Sequence, residues 1–167
     1  MQMSDLFPFL ASYNQWANQR LYAAVATLSE DTISVERRSF FGSILATLNH
    51  IMVGDRLWMA RFDGQQEFMA LDTILYDDFP ALWKAREVLD RKIINRVAAF
   101  EGAKLSLSLR YQNVAGESFS TPLSIVLMHF FNHQTHHRGQ VHDMLSDTEC
   151  PPPALDLIFF EREREHN

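Results

Sequence analysis

The sequence contains a single cysteine, Cys150. No intrachain disulfide can form, and this usage fits a reducing compartment. Long runs of Lys and Arg are also missing, and the formal net charge is −6. A broad nucleic-acid-binding face needs clustered cations for phosphate contacts, so none is expected. No apolar run reaches the roughly 18 residues of a membrane-spanning helix, so no membrane partner is expected either. The opening Met1-Gln2-Met3-Ser4-Asp5 offers neither a basic n-region nor a long apolar core. No signal peptide is expected, and the reading is a soluble cytoplasmic protein. Internal repeats, low-complexity segments and a domain boundary are absent as well, which leaves residues 1–167 as one domain.

What is present is globular. The chain has 167 residues, 47% hydrophobic and 22% charged, enough for a sizeable core. Apolar residues recur at helical spacing in four long segments. The first runs from about Ser4 to Leu28, capped by Ser4 or Asp5, with Pro8 tolerated in its first turn. Residues 29–40 are polar and read as a loop. The second segment starts near Phe41–Ser43 and ends at about Arg61, where Asp63-Gly64 stops it. The third is capped by Asp77 or Asp78, has Pro80 in its first turn, and faces inward with Phe79, Leu82, Arg86, Leu89, Ile93, Val97 and Phe100. Arg86 is out of character on that stripe. Either its stem packs while its charge reaches out, or it faces an anionic ligand. The fourth runs from Leu123 to Leu145, with Thr121 as its cap and Pro122 in its first turn.

Between the third and fourth segments the period changes. Leu105, Leu107 and Leu109 alternate with polar residues, and Ala115-Gly116-Glu117 reads as a turn. A small hairpin or extended cover is expected there. After three prolines, residues 154–160 read as a short helix closing one end of the core, and Glu161–Asn167 as a solvated end. The fold class is all-α, built as a four-helix bundle.

The fourth segment carries the chemistry. His129, His133, His136 and His137 fall within nine residues, four of the seven histidines, and His142 follows. His133 and His137 are four apart, so on a helix they share a face. They continue the stripe of Val126, Phe130, Val141 and Met144, where an unpaired polar group is costly. A metal ion bound by both rings would satisfy them; hydrogen bonds within the core would also do so. Gln134 stands where the H-E-x-x-H helix of metalloproteases has its glutamate, which argues against that class of peptidase. His50 lies in the second helical segment. Its neighbours Ala46 and Gly54 are small and would leave room for its ring to reach a facing helix. Taken alone, His50 reads as a partly exposed histidine bonded to water or a carbonyl. Beside the pair, it becomes the natural third ligand, whereas His166 sits in the charged tail.

Several stretches together resemble the DinB/YfiT-like family of metalloenzymes. They are Tyr13-Asn14-Gln15-Trp16-Ala17-Asn18-Gln19-Arg20-Leu21, Ser39-Phe40-Phe41-Gly42-Ser43, Leu48-Asn49-His50, Asp55-Arg56-Leu57-Trp58, and Asn132-His133 with His136-His137-Arg138-Gly139-Gln140. The resemblance covers nearly the whole chain. It implies a four-helix bundle whose divalent metal is bound by His50, His133 and His137. It also implies kinship with transferases or isomerases that use low-molecular-weight thiols.

Three protein ligands leave a coordination position open, as in catalytic zinc sites. Three neutral imidazoles accept zinc, nickel, iron or cobalt, with zinc the first expectation and nickel or iron alternatives. An ion there would hold a small thiol as thiolate or make hydroxide from water. The reactions that follow are thiol transfer or hydrolysis, on a small-molecule substrate the sequence does not specify. A bundle that only binds metal is the third reading. No general base stands out. His129, His136, Asp55 and Gln140 are candidates for supporting or proton-transfer roles, each with ordinary capping or surface bonding as the plainer alternative. A homodimer is expected because Ile125, Val126, Leu127, Met128, Phe130 and Phe131 make the fourth helix apolar nearly all round; the hairpin and C-terminal segment could instead cover its second side.

Overall fold

The computed structural model of the chain describes residues 3–100 and 102–166, with Met3 and Ser4 described by their backbone alone. The described residues are mostly helical. In chain order they form α1 (Met3–Val25), α2 (Glu30–Ser34), α3 (Ile44–Phe62), α4 (Phe79–Ala98), a 3-10 turn at Gly102–Ser106, β1 (Ser108–Gln112), β2 (Ser118–Pro122), α5 (Leu123–Leu145) and α6 (Leu157–Glu165). The four long helices enclose one core, in which α1 packs on α4 and α5, and α3 on α5 and α4. Leu21, Ile44, Leu48, Leu82, Ile93, Leu127, Val141 and Leu145 lie at its centre with no exposed surface. Burying a side chain of this size contributes about 1.5–3 kcal/mol.

Caps fix where the helices begin. Ser43 Oγ accepts from the Ala46 N–H at 3.0 Å, and Asp78 Oδ1 accepts from that of Ala81 at 2.9 Å. Of the two aspartates read as caps for α4, Asp78 therefore does the work. Gly64, at φ 71°, follows α3 as the glycine after a helix end usually does. A cap at Ser4 rests on a side chain outside the described residues. Pro8 lies in the second turn of α1 rather than the first, where it forfeits one helical hydrogen bond. Leu28 lies beyond the end of α1 and packs against the core from a turn.

Four other expectations are corrected. The loop read over residues 29–40 contains α2, because Ser29 caps Thr32 and Ile33 anchors the turn in the core. Thr121 does not cap α5. It belongs to β2, opposite Leu109, and the first N–H of α5, on Leu123, finds the carbonyl of Leu107 at 2.9 Å. The strand begins at Ser108, later than the leucine alternation suggested, because Gly102–Ser106 coils to bury Leu105 and leaves Leu107 exposed. Finally, the C-terminal helix starts at Leu157 and runs through the charged residues to Glu165. Phe160 alone is buried, among Tyr13, Ala17, Phe9 and Trp16, while Glu163 takes hydrogen bonds from Trp16 and Arg20. The expected hairpin is present, antiparallel, with Gly116 in its turn at φ 81°.

Candidate metal centre

His50 on α3 and His133 and His137 on α5 meet between their helices. His50 Nε2 lies 3.1 Å from His133 Nε2 and 3.2 Å from His137 Nε2. Two nitrogens bound to one tetrahedral zinc at about 2.0–2.1 Å would stand roughly 3.3 Å apart. The donor set and its spacing therefore fit a divalent ion, and among the described residues this is the group of three that could hold one. His50 and His137 are buried, and His133 is half-buried.

The far side of two rings is tied to the protein. His50 Nδ1 donates to the carbonyl of Leu71 at 2.7 Å, and His137 Nδ1 donates to Gln140 Oε1 at 2.7 Å. A proton held on Nδ1 leaves the Nε2 lone pair free and directed at the centre. Burial also favours the neutral rings. It lowers the pKa of His50 against the pull of Leu71 and Asp55, and that of His137 against the pull of Gln140. His133 is pushed down to about 3, by burial first and then by its neighbouring histidines.

Two residues that the sequence reading gave other roles, or none, shape the centre. Gly54 makes space for His133, not for His50: a Cβ there would stand 2.9 Å from His133 Cε1. Ala46 lies beside Phe41 at a separate cavity. Phe41 stacks on His50 with ring centroids 3.9 Å apart and meets His137 edge-on at 5.5 Å. A glycine in a helix interior costs about 1 kcal/mol relative to alanine, and that cost is the signal in the sequence. Phe41 lies outside the helix and carries no periodicity signal, and the Leu71 carbonyl leaves no trace in residue identity at all.

The supporting candidates separate. Gln140 holds His137 and reaches exposed His136 at 3.5 Å. His129 packs across Trp58 and next to His133, where burial and then Arg61 lower its pKa. His142 turns away to the carbonyl of Pro153. Asp55 does not hydrogen-bond the histidines. Its Oδ1 accepts from Gln134 Nε2 at 2.7 Å and its Oδ2 from Arg86 at 2.5 Å. Gln134, in the place of a protease glutamate, thus points into the core.

Arg86 does not reach solvent; its charge is met by carboxyl groups of the chain itself. It is 1% exposed and pairs with Asp55 and, at 2.9 Å, with Asp90 one turn along α4. Asn18 Nδ2 donates to Asp90 at 3.0 Å, and Arg138 donates to Asn14 and Asn18. Burial pushes both carboxyls up, against the pull of Arg86. Burial also opposes the charge on Arg86, but the two carboxylates together hold it charged.

A cavity of about 480 Å³ lies beyond Phe41, between Arg37, Phe40 and Asp72. A larger one, about 620 Å³, opens between α3 and α4 near Met59, Lys84 and Lys92, and none of the three histidines lines it. No described helix is long and apolar enough to cross a membrane.

The chain is 31% identical to "Protein DinB" of Bacillus subtilis (strain 168), over 98% of this chain and 99% of that protein. Its fold resembles the crystal structure of a DinB-like protein from Bacillus cereus ATCC 10987, with a TM-score of 0.62 and 18% identity, over 87% of this chain and 94% of that one. Residues 1–166 match the DinB family, and the chain belongs to that family.

Proposed function

We propose that the protein is a four-helix bundle of the DinB type that binds one divalent metal ion through His50, His133 and His137 and transfers a small thiol to an electrophilic substrate. Zinc is the first expectation, with nickel or iron as alternatives. The observation that carries this reading is the meeting of three neutral Nε2 atoms, two of them with Nδ1 tied to an acceptor. An ion held by these three residues would supply Lewis acidity that favours a small thiol in its thiolate form.

The chain's own residues supply the rest. Leu71 and Gln140 keep their protons on the outer nitrogens, while Phe41 and the space at Gly54 set the ring planes. Phe40, 86% exposed, and Phe41 give the rim an apolar edge for the body of an electrophile. Cys150 is not the thiol: it is buried, with Sγ on the carbonyl of Ala24. The thiol is therefore a separate cofactor. No carboxylate among the described residues hydrogen-bonds the three rings, and a thiol already ionised needs no base.

His136 favours a second reading. It is exposed, its ring centroid is 4.8 Å from that of His137, and it could accept a proton from water in a hydrolase. The assay is turnover of an electrophile by zinc-loaded protein with and without glutathione, bacillithiol or mycothiol. Turnover that needs both thiol and His50 supports transfer. Equal turnover without thiol favours hydrolysis, and no turnover with metal bound favours a metal-binding bundle without catalysis. We further place the protein in the cytoplasm as a homodimer, joined where Ile125 and Met128 of α5 stand more than half exposed. A monomer in sedimentation at micromolar concentration would refute the dimer.

A further inference from the structure

Asn49 is fully buried on α3, next to His50, and all four of its side-chain hydrogen-bonding positions are used. Nδ2 donates to the carbonyls of Leu45 at 3.0 Å and Tyr76 at 2.9 Å; Oδ1 accepts from the N–H groups of Leu75 at 2.8 Å and Tyr76 at 3.0 Å. The amide can sit only one way round, because backbone N–H groups only donate and carbonyls only accept. Three of these bonds go to the end of the connection from Asp63 to Asp78. No side chain of that connection is fully buried. Leu75 and Tyr76 pack partly buried against the core at its end, while Phe68, Leu71 and Ile74 before them are exposed, so little apolar burial holds the stretch that carries the Leu71 carbonyl. Midway along it, a turn closed by Thr73 N–H on the Ala70 carbonyl presents the Leu71 carbonyl to His50 Nδ1.

We propose that Asn49 is a positioning residue for the metal centre. It clamps the 63–78 connection, and the clamped connection holds His50 as the Nδ1–H tautomer with Nε2 free for metal. Consecutive positions on α3 point about 100° apart. One turn of helix thus supplies both a metal ligand and the anchor of the loop that orients it. The consequence for metal binding rests on the proposed centre, but the effect on the tautomer does not.

The test compares the wild type with Asn49→Leu, which removes all four bonds. Asn49→Asp keeps the two acceptor bonds and loses both donations, and serves if the leucine variant does not fold. In metal-free protein, amide exchange at Leu75 and Tyr76 reports the clamp, and nitrogen NMR of the His50 ring reports the tautomer. The expected result is faster exchange at both amides and a shift of His50 toward Nε2–H, with an intermediate shift in Asn49→Asp. Zinc affinity should fall about 10–100-fold, as for other partners that orient a ligand from behind. Faster exchange with His50 still held as Nδ1–H would overturn the inference. So would zinc affinity unchanged from wild type. Should the wild type bind no metal, the proposed centre fails and the tautomer alone decides: its shift supports the clamp, and its constancy overturns it.

Discussion

Two buried polar clusters lie less than two turns apart on α3 and side by side on α5, and they are opposite in kind. Asp55, Asp90, Arg86 and Arg138 bring two carboxyl and two guanidinium groups together, with Asn14, Asn18 and Gln134 filling in hydrogen bonds from α1 and α5. His50, His133 and His137 are neutral, and their free nitrogens face one another instead of a partner of opposite charge. The first cluster pairs carboxyl with guanidinium groups and joins four helices, with Arg86 Nε and Gln134 Oε1 left buried without a hydrogen-bond partner. The second has two of its outer nitrogens tied, those of His50 and His137, and its inner ones directed at a common point. Neighbouring residues on one helix serve both: Gln134 and Arg138 belong to the network, His133 and His137 to the centre.

Breaking the network should have the largest effect. Arg86→Met leaves Asp55 and Asp90 buried without their cation, and about 3–5 kcal/mol of stability is expected to go. Urea unfolding of metal-free protein measures this. By contrast, replacing both His133 and His137 by Ala should leave that stability far less affected, because no buried charge loses its partner.

A smaller and more selective effect is expected at Gly54. The Cβ of Gly54→Ala displaces the end of the His133 ring, which can move, so the fold survives. The helix itself gains up to about 1 kcal/mol from the change. Zinc affinity should drop about tenfold or more while thermal stability of the metal-free protein holds or rises. Calorimetric titration beside a thermal melt separates the two.

Acid sharpens the comparison further. His133 titrates near 3 in the folded protein, well below an unfolded histidine at about 6.5. Between those values the unfolded chain takes up a proton that the folded chain refuses. Stability from this source is therefore complete above about pH 6.5 and is lost as pH falls toward 3. His50 and His137 act in the same direction. Metal-free wild type should therefore lose more stability than His133→Ala as pH falls through this window. The smallest effect is expected for His129→Ala and His136→Ala, which should leave zinc affinity nearly unchanged, since neither ring ties a ligand directly.

What could be read in the sequence follows from how each feature is encoded. The His133–His137 spacing lies within one helix, where side-chain periodicity exposes it. His50 was reachable because few histidines lie in helical cores. Asp78 and Pro80 marked the start of α4 through local cap chemistry. Arg86 was misread because its partners come from α3 and from one turn along α4, and the stripe shows only that a charge faces inward. The Leu107 carbonyl that receives the first N–H of α5, and the Leu71 carbonyl behind His50, are backbone atoms that any residue would supply. Glu161–Glu165 reads as a solvated end by composition, and Arg162–Glu165 are exposed, but the helix there and the pairing of Glu163 with Trp16 and Arg20 depend on where α1 lies.

The most direct test of the central claim is metal content. Protein stripped by chelator and reloaded with zinc, then freed of excess, is analysed for zinc per chain in wild type, His133→Ala/His137→Ala and His166→Ala. One zinc per chain is expected in the wild type and in His166→Ala, and none in the double variant. Retained stoichiometry in the double variant, or no zinc in the folded wild type, would contradict it.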